Sequence, residues 1–159
     1  MSEKNYVQMM EDSLAKKIDM LRQLQVLCEE QKEILDNVNS TPEELETNVE
    51  RKDKMIQGLL GLDDGFEQLY RRVAKTLEEH KEDYKENIAH MQEQIRDITE
   101  RSANLQVLEQ RNRELAKQKF SVVRSQIKEL HQSSRAVSSY YQNMMKSVGN
   151  DPQFMDSKK

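Results

Sequence analysis

The sequence predicts an all-α protein: an antiparallel helical hairpin extended to an elongated three-helix, coiled-coil-like bundle with a long C-terminal helix. Three observations carry that reading. Gly (4) and Pro (2) are rare in 159 residues, and Trp is absent. Apolar residues reach only 35% against 34% charged, below the roughly 45–50% apolar share of an average globular domain, so the buried surface is a narrow stripe. Apolar residues recur at steps of three and four along most of the chain. That periodicity marks helical faces and separates this composition from that of a disordered chain.

The first helix is expected at about 5–38. Met10, Leu14, Ile18, Leu21, Leu24, Leu27, Ile34, Leu35 and Val38 share one face, and Leu14, Leu21, Cys28 and Leu35 form a heptad column. The clearest punctuation follows in "NVNSTPEELE". Thr41 suits an N-cap, Pro42 suits the first helical position, and Glu44 stands where a capping box needs it. So short a connection makes the two helices antiparallel neighbours.

The second helix, about 42–78, carries Leu45, Val49, Ile56, Leu59, Phe66, Tyr70, Val73 and Leu77 on one stripe. Its segment "GLLGLDDGF" holds glycines at 58, 61 and 65. No strand or GxGxxG pattern accompanies them, so they read as points of close helix–helix approach, with a local kink as the alternative. Residues 78–85 either reverse the chain or continue one long helix with a shifted seam. Three helices bury the stripes better than two, which favours reversal.

The third helix is expected from about 85 to 148, through Tyr84, Ile88, Met91, Ile95, Ile98, Leu105 and Leu108 and on to Val148. Gly149 then supplies a stop and Pro152 ends any helix. Residues 1–148 thus read as a single elongated domain and 149–159 as a flexible tail. At ~1.5 Å per residue such a helix extends about 90 Å, against about 50 Å for the first. Its far end would overhang.

That end is unusual in composition. Tyr140, Tyr141 and Phe154, three of eight aromatic residues, lie in the last twenty positions with Met144, Met145 and Met155. Methionine repacks easily and tyrosine joins a large contact area to a polar tip, which suits an adaptable recognition surface. Val137, Tyr140, Tyr141, Met144, Met145, Val148, Phe154 and Met155 are therefore the candidate partner-binding residues. The competing reading is a structural cap or a homodimer seam. Charge is also uneven, with 15 basic and 25 acidic residues in 1–110 but 10 basic and 4 acidic in 111–159. This is either a solvated helix face or a surface that meets an acidic partner.

Catalytic constellations are missing. His80, His90 and His131 form no metal-ligating spacing; Glu86 and His90 read as a surface i,i+4 pair. Cys28, the single cysteine, reads as a small core residue and fits a reducing cytosol. The basic residues after 110 form no dense run of the kind that grips nucleic acid. No apolar stretch approaches a signal peptide or a membrane span. These features point to a soluble, cytoplasmic, non-enzymatic binding protein without cofactor or metal.

Three stretches carry a family resemblance: "ERKDKMIQGLLGLDDGFEQLYRRV", "LEQRNRELAKQKFSVVRSQIKEL", whose Asn112 and Leu115 fit a recurrent Asn-x-x-Leu, and "YYQNMMKSVGNDPQFMDSKK". Together they cover most of residues 50–159 and resemble the FlgN-like flagellar export chaperones. The resemblance implies a cytoplasmic chaperone that keeps hook-associated proteins unpolymerised and export-ready, with the C-terminal helix and tail as the client-binding part. Export-apparatus components are further implied partners, and the chain is expected to be a monomer or weak homodimer. Two rival classes stand beside it: a homodimeric structural coiled coil or tether, and a secretion chaperone or adaptor with another client.

Overall fold

In the computed structural model of the protein, the residues described are 2–121, 135, 137 and 139–141. Three long helices make up nearly all of them: α1 (Glu3–Asp36), α2 (Pro42–Glu79) and α3 (Lys85–Lys119). No strand occurs among the described residues. No helix among them is long and apolar enough to cross a membrane. The fold class is all-α, a bundle of long packed helices.

Each end has a local cause. Ser2 caps α1, its hydroxyl accepting from the Asn5 amide. The capping box at Thr41 is formed: the Thr41 hydroxyl accepts from the Glu44 amide and the Glu44 carboxylate from the Thr41 amide. Between them α1 stops at Asp36, short of the expected Val38. Ser40 turns its hydroxyl onto the carbonyls of Ile34 and Asn37, and Val38 is left 90% exposed in the turn. His80 closes α2, with its amide bonded to the Thr76 carbonyl, and the chain reverses before Lys85.

The third helix differs most from expectation. It ends at Lys119 instead of continuing to 148, with Phe120 and Ser121 in a turn. No Gly or Pro forces this stop. It falls where the partners of α3 run out: α3 has 35 residues beside the 34 of α1. Lys119 Nζ donates to the carbonyls of Ile34 and Asn37 and to the Ser40 hydroxyl, capping the corner between α1 and α2. Leu35, Leu45 and Ala116 form a small core there, and Phe120 packs against it. α3 therefore does not overhang its neighbours.

α1 is the central element. α2 lies antiparallel to it, since Lys17 meets Asp63 while Lys52 meets Gln31. α3 runs parallel to it, since Gln94 bonds to Glu11 and Asn112 to Cys28. Both α2 and α3 pack on α1, but their backbones do not approach each other. One apolar core runs through all three, from Val7 and Met10 to Leu105 and Leu108, and it also contains Val137, Tyr140 and Tyr141. Burying such stripes contributes about 25 cal/mol per Å² of apolar surface removed from water.

Candidate partner-binding site

The described part of the C-terminal region is helical and folded onto the core. Val137, Tyr140 and Tyr141 are 2%, 7% and 0% exposed. Tyr140 donates its hydroxyl to Asp63 Oδ2 at 3.0 Å, and Asp63 also takes the ammonium of Lys17. Its neighbour packs edge-on, with the two ring centroids 5.9 Å apart and the planes at 65°, an arrangement aromatic quadrupoles favour. Lys17 lies about 30 Å below the α1 corner that Lys119 caps, at ~1.5 Å per residue. Tyr140 thus stands near the middle of the bundle, where α2 and α3 leave α1 open between them. Met144, Met145, Val148, Phe154 and Met155 lie outside the described residues.

Beside Tyr141 the core becomes polar. The Cys28 thiol donates to Glu109 Oε1 at 2.8 Å, and Lys52 pairs with the same carboxylate. Lys52 also donates to Gln31 Oε1 at 3.0 Å. Asn112 donates to Gln31 Oε1 and to the Cys28 carbonyl, each at 2.9 Å. One layer of side chains thereby ties α1, α2 and α3 together. Two polar atoms within it find no partner among the described residues, Glu109 Oε2 and the Tyr141 hydroxyl.

Burial dominates the proton affinities here. It pushes the Cys28 thiol well above its ordinary value, opposed by Lys52 and reinforced by Glu109. A buried thiol held in its neutral form is a weak nucleophile. The Tyr140 hydroxyl is raised by burial and then by Asp63. Tyr141 is raised by burial and then by Cys28 and Glu109.

The histidine expectation needs correction. His90 pairs with Glu11 Oε1 of α1 at 2.7 Å, and Glu86 is not its partner. Asn87 donates to the other oxygen of Glu11, and Gln94 to its backbone carbonyl. The contact is therefore a clip between helices. No group of three His, Cys, Asp or Glu residues that could hold a metal occurs among the described residues.

The glycines divide. At Gly58 a Cβ would meet the Met20 methyl at 2.6 Å, so close approach explains it. Nothing lies within 4 Å of a Cβ at Gly61 or Gly65.

The buried polar layer is absent from the sequence reading, although a signal for it existed. Lys52 stands seven residues from both Leu45 and Leu59, on the apolar column of α2. A cation on that column asks for a buried partner.

Comparison with known proteins adds one result. A family model described as FlgN protein matches residues 1–146. No curated protein and no solved structure matches the chain.

Proposed function

The chain belongs to the FlgN family, a family of flagellar export chaperones, and we propose that its clients are hook-associated proteins, held unpolymerised and export-ready in the cytoplasm. The observation that supports this siting best is the enrichment of Tyr and Met at one end of a charged chain, joined to the match over residues 1–146. Val137, Tyr140 and Tyr141 form the buried root of the binding region. Met144, Met145, Val148, Phe154 and Met155 follow them in sequence and would supply the client contacts.

A client segment with heptad-like apolar residues would add to the bundle as a helix laid in a groove. Ordering both parties lowers affinity per unit of buried area, which suits a complex that must later release its cargo at the export apparatus. Neither catalysis nor a bound metal is part of this mechanism. The working form is a monomer or a weak homodimer.

The test uses purified hook-associated proteins, the full chain, a form truncated after Leu130, and the variants Met144→Ala and Phe154→Ala. The full chain should form a soluble complex and suppress client polymerisation. Each alanine variant should bind roughly tenfold more weakly at unchanged melting temperature. Binding that survives both substitutions and the truncation overturns the siting. A chain that binds no hook-associated protein, yet forms a tight homodimer, overturns the client class in favour of a structural coiled coil.

A further inference from the structure

The outer face of the α1–α2 pair carries a groove with two depressions, of about 540 and 570 Å³, and no α3 residue lines either. Met20 divides them where its methyl lies over Gly58. The first is walled by Met9 and Leu69 and includes Gly61 and Gly65, where an added Cβ would find open space. The second is lined by Val26, Leu27 and Met55. Met9 remains 42% and Val26 65% exposed. Concave apolar surface of this kind marks a binding site more often than scattered exposed side chains do.

The charge of the rim runs against its surroundings. Residues 1–110 hold 25 acidic and 15 basic residues. Yet the charged residues lining the groove are Lys16, Arg51, Lys54 and Arg72 against only Asp12 and Glu30. We infer that this groove docks an amphipathic α-helix with acidic flanks, supplied by a partner protein. A second copy of this chain is a poor occupant, because a two-fold pairing would set the basic rim against itself. The two depressions are centred about 21 Å apart along α1, so a helix lying along the groove would seat apolar anchors roughly fourteen residues apart. Val137, Tyr140 and Tyr141 line neither depression, and the inference does not depend on the client reading.

The test titrates the full chain with two synthetic helical peptides of about 25 residues, long enough to span both depressions. Both carry leucines along one face, flanked by glutamates in one and by lysines in the other. The acidic peptide should bind saturably, more weakly as salt rises, and roughly tenfold or more tightly than the basic one. Filling the groove with Gly61→Leu and Gly65→Leu should weaken it by roughly tenfold without lowering the melting temperature. Reversing one charge in each depression, Lys16→Glu with Lys54→Glu, should exchange the preference of the two peptides. That arm decides the matter even if the filled variant folds poorly. Equal binding of both peptides, or unaltered preference after charge reversal, overturns the inference. So does a dimer of the full chain that the filled variant dissociates, since it assigns the face to a second copy.

Discussion

The ammonium of Lys52 on α2 and the carboxylate of Glu109 on α3 meet inside the bundle, with 4% and 0% of their side chains exposed. The backbones of α2 and α3 do not touch, so this pair spans a gap that apolar packing on α1 leaves open. Removing one partner strands a buried charge. Among the described residues, Lys52→Met leaves Glu109 with the Cys28 thiol alone, and its second oxygen already lacks a partner. The single substitution should cost about 3–5 kcal/mol, while Lys52→Met with Glu109→Leu should lie within about 2 kcal/mol of the parent. Urea unfolding measures both. A single variant no less stable than the double would show that the remaining charge finds solvent, and the pair would not be the isolated contact described.

The corner at Thr41 gives a smaller and more local test. Its hydroxyl and the Glu44 carboxylate satisfy two amides that the first turn of α2 leaves open. Thr41→Ala should lower unfolding free energy by about 1 kcal/mol, and Thr41→Ser by much less. Equal losses for the two would assign the effect to the Thr41 methyl group.

These two sites differ in how legible they were. The Thr41 corner is written locally: Thr-Pro-x-Glu names its cap, first residue and box partner in four positions, and the stripes of α1 and α2 needed only a count of threes and fours. The stop at Lys119 is not local. Nothing in "LAKQKFSVV" breaks a helix; the chain turns because Lys119 reaches the carbonyls at the end of α1 and Phe120 packs against the small core there. Tyr140 and Tyr141 were conspicuous by composition, but burial depends on the gap between α2 and α3, which no single-helix pattern encodes. Lys52 was readable in principle, because a cation on an apolar column is an anomaly that only a partner on another helix resolves.

The three glycines of α2 should respond unequally to the same substitution. Gly61→Ala adds a methyl to open space and removes the backbone freedom of an interior helical glycine. It should stabilise by about 0.5–1 kcal/mol, as should Gly65→Ala. Gly58→Ala must displace the Met20 methyl, 2.6 Å from the new Cβ. Its gain should be smaller or absent, because a flexible thioether end has to move at some packing cost. Thermal melts of the three variants compare them directly. A gain at Gly58 equal to that at Gly61 would mean that Met20 does not rest there in solution.

Tyr140 and Tyr141 are adjacent and both buried, yet loss of the hydroxyl should act differently at each. Tyr140→Phe removes the bond to Asp63 and should cost about 1–2 kcal/mol. Tyr141→Phe removes a buried hydroxyl that has no partner among the described residues, so it should be neutral or stabilise by up to about 1 kcal/mol. Alkaline pH supplies an independent reading of the same burial. Both hydroxyls are held above the ordinary value of 10.0, by burial first and by nearby acidic groups second. Above about pH 10 the unfolded chain has released these protons while the native chain keeps them, so the native state binds more protons and stability falls as pH rises. Below that pH the contribution is fully present. Each tyrosine adds about 1.4 kcal/mol of loss per pH unit until its folded value is reached. Cys28 acts with the same sign from about pH 9, so some alkaline loss persists without either phenol. Replacing both tyrosines with Phe should make the decline between about pH 10 and 11.5 shallower by roughly 1.4 kcal/mol per pH unit for each ring changed. Chemical unfolding at several alkaline pH values measures those slopes. If the double variant declines as steeply as the parent, Tyr140 and Tyr141 titrate as solvent-exposed groups, and the anchorage of the C-terminal region on the core would have to be abandoned.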